Sequence, residues 1–213
     1  MAEPYSSGFV KICGVTRESD AAMVVDAGAS ALGIILATSP RRVGVDQGRR
    51  LADAVRGRII STVVVRSMRD DDVVRGVDVV EPDAVQVHGP LSETLHAALR
   101  SRGLLIVKAL SVGTDEFLAF DDDGVDAVLI DGPSPGSGVE HSWDDLVARP
   151  FRVPVIAAGG LTSANVHDTI VVTRALGVDT ASGVESAPGV KDPTLVRRFV
   201  ESARRTYEQQ GAT

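Results

Sequence analysis

Short runs of Val, Ile, Leu and Ala recur along the chain roughly every 25 residues, with stretches of helical spacing between most of them. The apolar runs predict strands over residues 9–13, 31–36, 59–65, 84–88, 104–109, 127–131, 153–157 and 178–182. The stretches between predict helices over 18–27, 46–55, 92–101, 163–172 and 192–207, and shorter ones over 70–75, 114–120 and 143–148. Asp46 and Ser92 have side chains suited to N-caps, and Pro193 suits the first turn of the last helix. Strands that are nearly continuous in apolar residues, alternating with helices, imply a parallel sheet covered by helices. Eight such units in 213 residues match the count and near-minimal length of a single-domain α/β protein of the (β/α)8 TIM-barrel type. A doubly wound open sheet seldom needs eight units and usually opens with a Gly-rich loop. Here the first loop carries only Gly14.

Side chains two apart on a strand share a face, so alternation sorts the polar groups. Lys11 and Cys13 point together, opposite Val10 and Ile12, and Gln86 and His88 point together, opposite Val85 and Val87. Lys108 faces away from Val107, and Asp131 away from Ile130. With the apolar partners under the helices, these polar groups are expected to point into the barrel. Most sit at C-terminal strand ends, where barrel active sites are built.

Composition narrows the classes of function. The chain is 44% hydrophobic and 24% charged, as in ordinary soluble globular proteins. A net charge of -7 and a pI near 5.1 argue against nucleic-acid binding across a broad surface, but not against a small anion in a pocket. No apolar run approaches the ~20 residues that span a bilayer, so no membrane partner is expected. The N-terminus lacks the basic-then-apolar order of a signal peptide. Residues 1–213 are read as one domain with residues 1–7 as a flexible extension, in a reducing cytoplasm. Monomer and homodimer both remain open, because apolar helix faces can cover either the barrel or a partner.

The single cysteine, Cys13, cannot form an internal disulfide. It is either a small buried hydrophobe or a working thiol at a strand end, where the neighbouring Lys11 would favour the thiolate. Asp131 ends another strand, before the loop over 132–138. It either caps that loop structurally or, with water excluded, keeps a raised pKa and donates a proton. Gly159 and Gly160 precede a helix expected near Thr162, and Ser182 and Gly183 follow the last strand. They are tight turns or, better, the phosphate-cradling loops of the last two barrel units. Arg41 can clamp a carboxylate through paired hydrogen bonds, whereas Arg42 is expected at the surface. Gln86 and His88 are candidate pocket residues, though His88 equally suits a strand-end core position. Asp179 either orders the pocket and touches substrate or simply satisfies Lys11. Trp143, Asp144 and Asp145 look like a helix start with no chemistry.

Taken in order, these residues resemble phosphoribosylanthranilate isomerases of tryptophan biosynthesis. The likeness spans nearly the whole chain: Lys11-Ile12-Cys13-Gly14-Val15-Thr16, Ser39-Pro40-Arg41, Val85-Gln86-Val87-His88-Gly89, Ile130-Asp131, Ala158-Gly159-Gly160-Leu161 with Asn165, Val178-Asp179, Ser182-Gly183-Val184-Glu185, and Pro188-Gly189-Val190-Lys191-Asp192. The resemblance implies a (β/α)8 barrel with no cofactor and no metal, acting on a phosphorylated small molecule. It implies Cys13 as general base, Asp131 as general acid, Arg41 against the anthranilate, and phosphate held by the last two glycine-rich loops. The reaction implied is the Amadori rearrangement of N-(5-phosphoribosyl)anthranilate to 1-(2-carboxyphenylamino)-1-deoxyribulose 5-phosphate. The alternatives are another or dual-substrate sugar-phosphate isomerase, or a non-catalytic barrel that binds a phosphate ligand.

The chain departs from that pattern in places. Strand three of the family ends in Gly-Val-Phe, against Val63-Val64-Val65-Arg66-Ser67-Met68 here. The family's Gly-Gly-Thr-Gly and Phe-Asp-Trp are replaced by Pro135-Gly136-Ser137-Gly138 and His141-Ser142-Trp143, and an aromatic after strand two by Leu36. These changes spare the acid and base and touch the walls of the site.

Overall fold

The apolar runs pair in parallel and in chain order, and the last closes on the first to make an eight-stranded barrel. The computed structural model describes residues 4–132 and 143–211. The barrel strands are β1 (Phe9–Ile12), β2 (Ala31–Ile35), β3 (Ile60–Arg66), β4 (Ala84–His88), β5 (Leu105–Ser111), β6 (Ala127–Asp131), β7 (Val155–Ala158) and β8 (Gly177–Thr180). The helices are α1 (Glu18–Asp26), α2 (Val45–Val55), α3 (Asp70–Val80), α4 (Glu93–Arg100), α5 (Asp115–Ala119), α6 (Asp144–Ala148), α7 (Val166–Thr173) and α8 (Pro193–Gly211). After β8 come a 3-10 turn (Ser182–Val184) and a small antiparallel hairpin of β9 (Glu185–Ala187) and β10 (Val190–Lys191).

Two apolar layers hold the barrel. The outer layer lies between strands and helices: Val10, Ile12, Val85, Val87 and Ile130 pack there with helix residues such as Leu51, Leu99 and Phe199. On α2 the buried positions are Gly48, Leu51, Ala52 and Val55, the spacing of one helical face. The inner layer is a plug of Tyr5, Phe9, Val107, Ala109, Leu129 and Ile156. Tyr5 is 3% exposed and its ring meets Phe9 edge-on at 5.1 Å. The extension expected over residues 1–7 is therefore anchored at Tyr5.

The inner plug also corrects Lys108. Val107 and Ala109 point into the barrel, so Lys108 points outward, under the helices. There its ammonium bonds to Glu116 of α5 at 2.7 Å and to the Ala109 carbonyl at 3.1 Å, over the Phe120 ring. It does not line the mouth.

Local signals held unevenly. The Ser92 hydroxyl accepts from the Leu95 N–H at 3.0 Å and caps α4, and Pro193 opens α8. Asp46 is not a cap: Gly44 holds that position, and Asp46 sits inside the first turn of α2. Helix α3 runs past the expected residue 75 because Val73, Gly76, Val77 and Val80 form a buried stripe, and it stops at left-handed Glu81. Among the described residues, no helix is long and apolar enough to cross a membrane.

Candidate active site

The C-terminal ends of β1, β2, β3, β4, β6 and β8 and the segment after β2 surround a cavity of about 370 Å³. Its walls include Cys13, Arg41, Arg66, Gln86, His88, Asp131 and Asp179. A polar floor at the C-terminal mouth of a barrel is where this fold does chemistry.

Strand register sets the first pair. Lys11 on β1 lies directly across from Asp179 on β8, and both side chains point inward. Their ammonium and carboxylate meet at 2.9 Å with both side chains buried. Burial pulls the Lys11 pKa down, but Asp179 and then Cys13 outweigh it and hold the ammonium above its ordinary value. Cys13 sits one turn of the pleat above Lys11, its N–H donating to the Thr180 carbonyl at 2.7 Å. Gly33 on β2 makes room for the thiol, since a Cβ there would lie 2.6 Å from Sγ.

The thiol does not show the lowered pKa expected from Lys11. Burial pushes it up; Lys11 and Lys191 pull down, while Asp179 pushes up. Lys11 is already paired to Asp179, so much of its field at Cys13 is cancelled. Asp131 does behave as expected. Burial, then the Asp179 charge, raise its pKa to about 6, against the opposing pull of Arg66 and Lys11. Of the loop over 132–138 expected to cover it, residues 133–138 lie outside the described residues.

The β2–β4 wall carries the cations. Arg41 donates from Nε and Nη2 to the two carboxylate oxygens of Glu185, both at 2.8 Å. Lys191 reaches the same carboxylate at 2.8 Å and the Ala181 carbonyl at 2.9 Å. Burial works against the Glu185 carboxylate, but its bonds to Arg41 and Lys191 hold its pKa below the usual range. The hairpin after β8 thus grips the segment after β2, and Arg41 keeps only its remaining donors for a ligand.

Arg66 donates from Nη2 to His88 Nδ1 at 3.1 Å, and His88 Nε2 lies 2.9 Å from the Gln86 amide. Burial, with the charges of Arg66, Lys11 and Lys108, lowers the His88 pKa to about 3, so the ring is neutral. With Nδ1 accepting from Arg66, the proton is on Nε2. The amide orientation that satisfies it turns Gln86 Oε1 toward His88, which also gives a partner to an oxygen otherwise without one among the described residues.

The last two loop ends pack on each other. Gly159 and Gly160 both have positive φ, and the Thr180 hydroxyl donates to the Leu161 carbonyl at 2.6 Å. At Gly183 a Cβ would stand 1.9 Å from that same Leu161 oxygen, so only glycine allows the two loops to close. Helix α7 starts at Val166 and not near Thr162; residues 162–165 form a turn tied by the Asn165 carboxamide to the Thr162 N–H at 2.7 Å. The α7 N-terminus is therefore further along the chain than the phosphate reading assumed.

The structure brings Cys13, Arg41, Gln86, His88, Asp131 and Asp179 onto one cavity, with Lys11 behind them. Gly159, Gly160, Ser182 and Gly183 are not among the lining residues; Ser182 and Gly183 follow directly on lining residue Ala181. The sequence pattern did not point to Glu185 as the partner of Arg41 or to Lys191 as a second cation on that carboxylate, and it marked Arg66 only as a departure. The alternation that flagged Gln86 and His88 also puts Thr62, Val64 and Arg66 on one face, and would have found it. Among the described residues, no group of three or more His, Cys, Asp or Glu side chains is placed to hold a metal ion.

Comparison with known proteins gives a consistent picture. The family profile described as N-(5'phosphoribosyl)anthranilate (PRA) isomerase matches residues 10–202. An N-(5'-phosphoribosyl)anthranilate isomerase of Rhodopseudomonas palustris (strain BisA53) is 37% identical, covering 92% of this chain and 96% of its own. A crystal structure of phosphoribosyl anthranilate isomerase in complex with reduced 1-(o-carboxyphenylamino)-1-deoxyribulose 5-phosphate superimposes with a TM-score of 0.81 at 28% identity, covering 92% of this chain and 98% of its own. The Thermotoga maritima enzyme superimposes with a TM-score of 0.82 at 30% identity and the same coverage, 92% and 98%.

Proposed function

The chain belongs to the N-(5'-phosphoribosyl)anthranilate isomerase family, and from that premise we propose that it catalyses its step of tryptophan biosynthesis with Cys13 as base and Asp131 as acid. The reaction turns N-(5-phosphoribosyl)anthranilate into 1-(2-carboxyphenylamino)-1-deoxyribulose 5-phosphate. Asp131, protonated, donates to the furanose ring oxygen as the C1′–O bond breaks and the anthranilate nitrogen lone pair forms the iminium. Cys13, as thiolate, removes the C2′ proton to give the enolamine. The C2′ hydroxyl then loses its proton and C1′ gains one, leaving the ketone and no net change in protons.

The observation that carries this reading is that Cys13 and Asp131 face one cavity from β1 and β6, on either side of the β7 and β8 loop ends. A substrate with its phosphate at Gly159, Gly160, Ser182 and Gly183 lays its sugar between them. Near neutral pH the ligand-free pair holds one proton, on sulfur, because the thiol pKa is raised and the Asp131 pKa is about 6. Moving that proton from Cys13 to Asp131 creates the working state with no exchange with solvent. The two groups therefore titrate as a pair.

Loss of anthranilate-adduct fluorescence in the presence of the purified protein tests the activity; a protein that leaves the adduct unchanged contradicts it. Inorganic phosphate is expected to compete with substrate. Gly183→Ala, by pushing the Leu161 loop away, should raise KM and the phosphate inhibition constant together. Phosphate without effect at high concentration contradicts the assignment of these loops. The remaining expectations follow the same reading: a small phosphorylated substrate, no nucleic-acid partner, a monomer or homodimer, and a cytoplasmic location.

A further inference from the structure

The β3 end of the barrel stands opposite β7, four strands away in either direction around the closed sheet. With the phosphate at the β7–β8 loops and the sugar between Cys13 and Asp131, the aryl end of the substrate reaches the β2–β4 wall. That wall carries two guanidinium groups, Arg41 and Arg66. They differ in what they already hold.

Arg41 is bound in bidentate fashion by Glu185, a carboxylate it shares with Lys191. Arg66 has no carboxylate within ion-pair distance among the described residues. It is braced instead by the neutral His88 ring, itself held by Gln86. A neutral brace orients a guanidinium without spending its charge, and a fixed cation facing a cavity suits an anionic ligand. We propose that Arg66 is a specificity-determining residue that binds the carboxylate on the substrate's aromatic ring, with Arg41 as its partner. The ligand's identity here rests on the isomerase reading above; the recognition of an aryl carboxylate rests on the cavity.

The groove beside Lys108 is lined by Glu93, Glu116, Asp121 and Asp123, and its one buried cation is already bonded to Glu116. The exposed Val147, Val171 and Val172 form an apolar face with nothing to show what covers it.

The test is calorimetric binding of reduced 1-(o-carboxyphenylamino)-1-deoxyribulose 5-phosphate and of its counterpart lacking the ring carboxylate. Arg66→Met should weaken the carboxylated ligand by about tenfold or more, the scale of a lost charge-assisted hydrogen bond, and the other by less than about twofold. Arg66→Lys should restore part of the loss. Equal losses for both ligands would mean that Arg66 acts only through the general field of the site, and no loss for either would mean that it does not touch the ligand. Either result overturns the proposal. Because Arg66 is exposed, the variants are expected to fold, and an unchanged Tm checks this. Binding is read without turnover, so an inactive parent that still shows the carboxylate-dependent loss contradicts the isomerase reading and supports this one.

Discussion

Cys13→Ala is expected to lower kcat by about 10²-fold or more and to leave KM close to the parent value. The thiol is buried at the end of β1 with Gly33 opened around it, so removing one sulfur atom costs little packing. On the proposed mechanism, what it costs is the group that takes the C2′ proton. Steady-state turnover followed by anthranilate fluorescence checks this. A variant with kcat within a few-fold of the parent would show that Cys13 is only a small buried hydrophobe.

Asp131→Asn is expected to separate activity from stability. The amide keeps the size of the carboxyl group but cannot give up a proton to the ring oxygen, so kcat should fall by about 10²–10⁴-fold. Stability should move the other way. The folded Asp131 pKa is raised from 3.8 to about 6, by burial and by Asp179, so its ionised form destabilises the fold. That penalty is absent below the unfolded value, grows between 3.8 and about 6, and is fully present above. The variant should therefore have a higher Tm than the parent at pH 7 and the same Tm near pH 3. In the parent, the kcat/KM profile should level off near pH 6, where the carboxyl group begins to lose its proton, and fall only as the thiol titrates at high pH. Near-parental turnover by Asp131→Asn would exclude it as the donor.

The barrel was legible because each strand is a short apolar run between helical stretches, and chain order alone sets parallel neighbours. Alternation was less decisive. It pairs residues by face but does not say which face looks inward; closure of the barrel and filling of its base decide that. For β1, β4 and β6 the polar parity points inward, as expected. On β5 the base requires Val107 and Ala109, and Lys108 is turned outward to Glu116. The Lys11–Asp179 pair depends on the register between the first and last strands, 168 residues apart, which no local pattern reveals. Burial raises the thiol pKa, and the same pair limits how far Lys11 offsets it, because a lysine read beside Cys13 in sequence turns out to be paired across the seam. Glu185 was hidden for a similar reason: its hairpin folds back over the segment after β2 and occupies Arg41.

The division of labour between base and acid is tested most directly by the deuterium isotope effect on kcat with substrate labelled at C2′. If Cys13 removes that hydrogen, the residual reaction of Cys13→Ala is limited by C2′ cleavage, and its isotope effect should exceed the parent's. If Asp131 opens the ring, the residual reaction of Asp131→Asn is limited before C2′ is touched, and its isotope effect should shrink toward unity. The reverse pattern, a larger effect in Asp131→Asn and none in Cys13→Ala, would contradict the assignment and exchange the two roles.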